Sequence, residues 1–404
     1  MKNLLFFVLL FFQLTTVHAQ KDSSIIVFKN VNVIDGVSKK ALKKVHVIVS
    51  NGKITGIQRG SIKPTIEGII IELSGKWLLP GYIDAHTHLY TVDAVQTALS
   101  NGVTTARTMG CNHFFDIEIR NKHAQKNNSF PDIIAAGYQI RPDMPEEFYK
   151  DFPEFTNLKP RVQGVENVRR IVKALVAHKV DFIKILATER AGTPDTDPRN
   201  RTFTDEEIVA IVDEANKAGI PVAAHAHGDE GAYAAVRAGV RSIEHGSYLS
   251  YKTLALMKLR GTYLVPTFSF WEQTAATPQN KDNPVLTERI KTFVQLVYGV
   301  TSLAYKMGVP VVAGTDTRYV VSGLSMESEA VQLKKAGMSA MDIIKAMTHL
   351  SAQCLRIDAR TGTVKKDMEA DLVVLEQNPL SDITALKKIV MVVNDGKVVI
   401  NRLQ

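Results

Sequence analysis

The chain has 404 residues, 45% of them hydrophobic and 22% charged, an ordinary globular composition with ample length for a large core. Its net charge is +8, with a pI near 9.2. The lysines and arginines are scattered and no basic run is interleaved with aromatics, so a nucleic-acid surface is excluded, and only a mild preference for acidic small substrates follows.

Residues 1–19 read as an export signal. Lys2 gives a positive start, LLFFVLLFF is the apolar centre, and Val17-His18-Ala19 places small residues at the cleavage positions. The predicted cut after Ala19 leaves Gln20 as the new N-terminus and a periplasmic or secreted protein. The apolar run is too short to span a bilayer comfortably, so no stable membrane insertion is expected once the signal is gone. Two cysteines remain in an exported chain, Cys111 and Cys354. They are expected to be packed free thiols, because a core of this size needs no staple.

Residues 24–79 read as strands and turns. SIIVFKNVNVID, KVHVIVSNGKITGIQ and GIIIELSGKWLL are rich in β-branched residues and separated by turn pairs such as Asn51-Gly52. A similar composition returns only in DLVVLEQNPL and KIVMVVNDGKVVI near the other end. Neither piece has enough strands to close a core alone. The economical solution is one small β-sandwich built from residues 20–79 and 357–404, flanking a central domain over 80–356. His46 falls in this sandwich and is assigned a structural place.

The central part alternates short apolar runs with helical stretches. Eight runs appear, at 80–88, 102–110, 132–140, 180–188, 220–228, 240–247, 261–268 and 309–317. Continuous apolar strands separated by helices argue for a parallel sheet covered on both faces. Eight such units argue for an α/β fold of the (β/α)8 TIM-barrel type. Thr204 followed by Glu207 forms a predicted capping box, and Val165, Val168, Ile171, Val172 and Leu175 mark an amphipathic helix. Segments 141–162 and 269–290 read as long connections on the catalytic face.

The ligand-type side chains fall at the C-terminal ends of the apolar runs. The first run ends in His86 and His88, the fourth carries Lys184, the fifth His225 and His227, the sixth His245, and the eighth Asp316. Barrel sites are built at that face, so these groups converge. In a strand, residues two apart share a face, which lets both imidazoles of GYIDAHTHLY reach one metal ion. His227 shares its face with His225, so either can be the ligand and the other a substrate contact. His113 and His123 read as solvated loop histidines, and His178 and His349 as structural ones on helices.

GYIDAHTHL, the lysine in DFIKI, AAHAHG, SIEHG and AGTD together resemble the amidohydrolase superfamily of metal-dependent barrel hydrolases. More narrowly they resemble its imidazolonepropionase-like branch, which includes dipeptidases that cleave Xaa-Pro and related bonds. The resemblance covers nearly the whole mature chain. It implies two divalent metal ions, most often zinc, with His86, His88 and Asp316 on one and His225 and His245 on the other. It further implies that Lys184 is carboxylated by carbon dioxide and bridges the ions, an anionic ligand where an ammonium would be repelled.

The implied function is hydrolysis of an amide bond in a small substrate, a dipeptide or an N-acyl amino acid, with Asp316 as the catalytic base and acid in turn. His227 or Tyr138 is placed to hold the oxyanion, and Arg190 or Arg318 to hold a substrate carboxylate. The same metal site also suits a lactone, cyclic amide or organophosphate, and a non-catalytic metal- or solute-binding barrel is the alternative of a different class. A small molecule is the expected partner, and a homo-oligomer is compatible with the sequence.

Overall fold

The computed structural model describes residues 25–61, 68–125, 129–191, 196–276, 284–320 and 324–403. The expected export signal, residues 1–19, lies outside the described residues. Five strands come first: β1 (Ile25–Val33), β2 (Leu42–Ser50), β3 (Lys53–Gln58), β4 (Gly68–Glu72) and β5 (Trp77–Pro80). Seven central strands follow, β6 (Tyr82–Thr87), β7 (Val103–Thr108), β8 (Asp132–Ala135), β9 (Ile183–Leu186), β10 (Val222–Ala226), β11 (Ser242–His245) and β12 (Tyr263–Val265). The chain ends with β13 (Leu372–Leu375), β14 (Ile389–Asn394) and β15 (Lys397–Asn401).

The two ends of the chain share one sheet, in the order β15-β14-β13-β5-β1-β2-β3, with β4 also paired to β1. The join is antiparallel, Leu372 to Leu375 running against Pro80 to Trp77. Asn51 and Gly52 turn the β2–β3 hairpin with both φ values positive (53° and 78°), as a tight two-residue turn requires. Val47, Leu78, Val374 and Met391 bury one face of this sheet. His46 is buried there, accepting from the Asn30 N–H at 3.1 Å while its other ring nitrogen lies 2.7 Å from the Gly60 carbonyl. Its place is structural.

The central strands are parallel, in the runs β6-β7-β8 and β9-β10-β11-β12. Ile140 links the two runs: its N–H donates to the Lys184 carbonyl and its own carbonyl accepts from Leu186. Residues 310–317 link β12 back to β6. Leu264 N–H donates to the Pro310 carbonyl, while Ala85 donates to Ala313 and Asp316 donates to His86. The architecture is α/β and TIM-barrel-like. Several strands are shorter than their apolar runs suggest. The third ends at Ala135, just before Gly137 takes a φ of 61°, and 309–317 pairs only through isolated bridges at Val311 and Thr317, with Asp316 at a φ of 52°.

Alternate strand residues feed two different cores, because successive side chains of a strand point to opposite faces. Ile83, Ala85, Ala223, Val265 and Val312 pack together in the interior, where Ala352, Cys354 and Leu355 from the helix His349–Leu355 also lie. Ala106, Ile183, Ile185, Ala224, Ile243 and Leu264 face the surrounding helices. The helix Val165–Ala177 buries Val168, Ile171, Val172 and Leu175 on one stripe. The helix Asp205–Lys217 opens on the expected Thr204–Glu207 capping box.

The expected long connections are largely helical. Segment 141–162 holds the helix Glu146–Asp151 and the 3-10 turn Pro153–Leu158, pinned by buried Phe148, Phe152 and Phe155. Segment 269–290 is occupied by the helices Phe268–Ala276 and Pro284–Met307. Aromatic burial, invisible as a period in such short pieces, organises the first. Cys111 and Cys354 are free and buried. Among the described residues no helix is long and apolar enough to cross a membrane.

Candidate metal centre

His86 reaches the interior because β6 carries an irregularity. Asp84 pairs with Ala106, a helix-facing position, and Thr87 pairs with Thr108, so one residue too many separates two like-facing positions. The bulge lets Ala85 and His86 both turn inward. His86 Nδ1 then donates to Glu244 Oε2 at 2.7 Å, and Nε2 lies 3.4 Å from Asp316 Oδ1. His88 Nε2 lies 3.2 Å from the same oxygen. His86, His88 and Asp316 thus offer three donor atoms within 4.8 Å of one another. Burial opposes ionisation of Asp316, but the two imidazoles beside it hold its carboxyl well below the usual range.

A second group lies next to the first. His225, His227 and His245 also bring donor atoms within 4.8 Å. The rings of His225 and His245 are 4.5 Å apart, and that of His245 is 5.1 Å from His86. Glu244 and His245 are neighbours in sequence and should face opposite sides of β11. His245 instead adopts a φ of 72°, which turns its ring to the side of Glu244. Thr267, itself at φ 54°, hydrogen-bonds His245 Nδ1 at 2.7 Å. Left-handed backbone at non-glycine residues is costly and collects at functional sites, and here it falls on His245, Thr267 and Asp316. Burial pushes His225 and His245 well below the ordinary histidine range and His227 down to about 3. All three are therefore neutral, the form that binds metal.

Lys184 belongs to both groups electrostatically. Its charge disfavours protonation of His86 and His88 in the first group and of His225 and His227 in the second. The side chain is 2% exposed, and its Nζ is buried with no hydrogen-bond partner. Burial brings the amine down to about 8. A buried amine with no hydrogen-bond partner is expensive unless something ligates or modifies it. The donor set therefore fits a pair of divalent ions: nitrogen-rich, one carboxylate, and a lysine that can become anionic.

The remaining sequence candidates separate. His227 lies inside the second group, with Nδ1 2.8 Å from Ser247 Oγ, and Trp271 and Phe293 stack together against its ring. Arg190 is half-buried at the edge of the site and donates to Gln139 Oε1 at 3.0 Å. Arg318 is exposed, lying over the Tyr90 ring. Tyr138 is committed elsewhere, donating to Asp151 Oδ2 at 2.6 Å and accepting from the His113 N–H at 3.0 Å. His113 is largely exposed beside Asp151. His123 departs from the loop expectation: it lies on the helix Phe115–Ala124, bound to the Phe130 carbonyl and near Asp395. His178 stacks on Phe114 at 4.3 Å, far from any ligand set.

Three residues that the sequence did not single out support the candidate ligands. Glu244 is fully buried between His86 and Arg107, whose guanidinium donates to Glu244 Oε1 at 3.0 Å. Burial alone would raise this carboxyl, yet Arg107 and His86 hold it at about 2. Asp84, also fully buried, accepts from the N–H groups of His86 and Thr315 through Oδ1 and from Thr315 Oγ1 and Tyr319 OH through Oδ2. It ties the first ligand strand to the segment carrying Asp316. The signal for Glu244 and Asp84 was their sequence adjacency to ligands, in SIEHG and GYIDAHTHL.

Comparison with known proteins agrees with this geometry. The amidohydrolase family profile matches residues 77–399. The fold is similar to that of a Xaa-Pro dipeptidase crystallised with methionine in its active site, with a TM-score of 0.84 and 27% identity over 93% of this chain and 99% of the dipeptidase. A putative prolidase from Bifidobacterium longum superposes with a TM-score of 0.80 at 28% identity, covering 93% of this chain and 95% of the prolidase. Ochratoxinase of Aspergillus niger is 31% identical over 226 residues, 56% of this chain and 47% of the ochratoxinase, so the chain spans about half the length of that relative. Profile, fold and ligand-type residues at strand ends agree, and the chain belongs to the amidohydrolase family, in its prolidase-like branch.

Proposed function

We propose that the protein is an exported binuclear metallohydrolase that cleaves the amide bond of a dipeptide or an N-acyl amino acid. The observation that supports this reading is the pair of neighbouring donor groups, His86-His88-Asp316 and His225-His227-His245, together with a buried Lys184 amine that has no hydrogen-bond partner. His86, His88 and Asp316 would hold one divalent ion and His225 and His245 the other, zinc being the usual choice in the family. Lys184 as its carbamate would lie between them. The neutral amine takes up carbon dioxide and loses a proton, which turns a repelled cation into an oxygen ligand. When bound, such ions supply Lewis acidity to the scissile carbonyl and make a water reactive near neutral pH.

The chain's own residues do the rest. Asp316 Oδ accepts the proton of the attacking water and returns it to the leaving nitrogen, so one carboxylate serves as base and then acid. His227, neutral and fixed through Ser247, faces the site as an oxyanion contact. Trp271 and Phe293 keep water from that side. Tyr138 is not assigned that role, because its hydroxyl is engaged by Asp151. Residues 80–356 form the barrel domain in this reading, and 20–79 with 357–404 a sandwich-like β domain.

Metal analysis of the purified protein beside a hydrolysis screen tests the assignment. Near two equivalents of a divalent ion with turnover of dipeptides or N-acyl amino acids is expected. Bound metal with turnover only of lactones or phosphotriesters would replace the substrate class, and protein that binds neither metal nor substrate would end the reading.

A further inference from the structure

A cavity of about 640 Å³ opens beside the first ligand group, at the C-terminal ends of β7 and β8. Its volume suits a dipeptide-sized ligand. Tyr90 forms the shared wall, with its hydroxyl 2.8 Å from His88 Nδ1 while its ring lines the cavity. Phe115, Tyr138 and Pro145 make the apolar part of the lining.

The charged part is unbalanced. Arg141 and Arg190 both line the cavity, and each is half-buried. Arg190 meets only the neutral Gln139 side chain, and no carboxylate lies within ion-pairing distance of it among the described residues. Arg141 Nε is buried with no hydrogen-bond partner, and its nearest acid, Asp143, is 3.8 Å away and mostly in solvent. Burial and the neighbouring Arg141 both disfavour the charge on Arg190. The acidic lining residue, Glu118, is engaged at the rim with Lys122 at 2.9 Å. Two guanidiniums lining one half-buried cavity repel unless an anion is bound with them. Planar, forked donors are suited to a carboxylate.

We propose that this cavity is the carboxylate subsite, in which Arg141 and Arg190 together grip the free carboxylate of the substrate's amino-acid half, with the scissile amide at the Tyr90–His88 edge. The inference rests on the amidohydrolase reading for its substrate but on the cavity alone for its binding site. It assigns Arg141 a role that no sequence pattern suggested, and it favours Arg190 over the exposed Arg318.

Binding separates the two claims. Metal-loaded full-length protein would be titrated calorimetrically with N-acetyl-L-phenylalanine and with N-acetyl-L-phenylalaninamide, which lacks only the charge. The free acid should bind roughly tenfold or more tightly than the amide, as expected for charge-assisted bonds. Arg190→Met and Arg141→Met should each reduce that preference, and Arg190→Lys should restore part of it. Equal affinity for acid and amide, binding of neither, or variants that weaken both ligands alike would overturn the subsite. A preserved acid preference in a protein that hydrolyses no amide would leave the subsite standing and remove the proposed function instead.

Discussion

The Glu244 carboxylate lies 2.7 Å from His86 Nδ1, on the opposite side of the ring from Asp316. An anion on Nδ1–H fixes the tautomer that leaves Nε2 free as a ligand and raises its basicity. Glu244→Gln keeps the shape and removes the charge. Metal affinity should fall by roughly 10- to 100-fold, as for other supporting carboxylates. Glu244→Leu should in addition destabilise the fold by about 3–5 kcal/mol, because it leaves Arg107 buried and unpaired. Equilibrium dialysis against a metal buffer and urea unfolding read the two effects. Unchanged metal affinity in Glu244→Gln would mean that His86 is not a ligand.

His86→Ala and Asp316→Asn test the centre directly. Each should lower kcat by at least about a hundredfold, with Asp316→Asn retaining more metal than His86→Ala, since asparagine keeps a carbonyl oxygen but cannot carry a proton. Circular dichroism should show the native fold in both. Chelation of the wild type should lower its melting temperature, because an ion bound only by the folded state stabilises it by mass action. Full activity in either variant excludes metal-assisted hydrolysis at this site.

Asp84 makes no contact with substrate in this reading but holds two ligand-bearing segments together through four donors. Asp84→Ala leaves those donors unsatisfied in a dry interior and should cost about 3 kcal/mol or more. Asp84→Asn should cost about 1 kcal/mol, because the hydroxyls of Thr315 and Tyr319 can rotate to accept from the new amide. Thermal unfolding of both variants checks the order. An alanine variant as stable as wild type would show that the link is dispensable.

The sequence made the candidate ligand residues and the β/α alternation legible because both depend on local pattern. Apolar runs with charged or imidazole side chains at their ends need no tertiary information to be seen. What escaped depends on backbone irregularity. Strict alternation from Ile83 and Ala85 would send His86 away from the interior, and only the bulge in β6 brings it back. The left-handed turns at His245 and Asp316 have the same effect and no residue-type signal, since neither is glycine. Arg107 was hidden for another reason: a lone arginine in VTTART is unremarkable until Glu244, far along the chain, is placed against it. The helix and 3-10 turn within 141–162 were missed because their apolar residues are aromatic anchors, as in Phe148, Phe152 and Phe155, rather than a sustained stripe.

The amine of Lys184 should make the metal-free protein more stable as the pH rises. Burial lowers its pKa from an ordinary 10.5 to about 8. Between these two values the unfolded chain holds the proton and the folded chain has released it, so the unfolding free energy climbs with pH across that window. Below about 8 both states are protonated and the full cost of burying the ammonium is present, on the order of 3 kcal/mol. Lys184→Met removes the charge while filling similar space. In chelator and carbon-dioxide-free buffer the variant should therefore exceed wild type in stability at pH 7, with the two curves converging towards pH 10.5. Urea unfolding at several pH values measures the gap. Parallel curves would mean that the amine is already neutralised or solvated, and the case for a carbamate at this position would go with it.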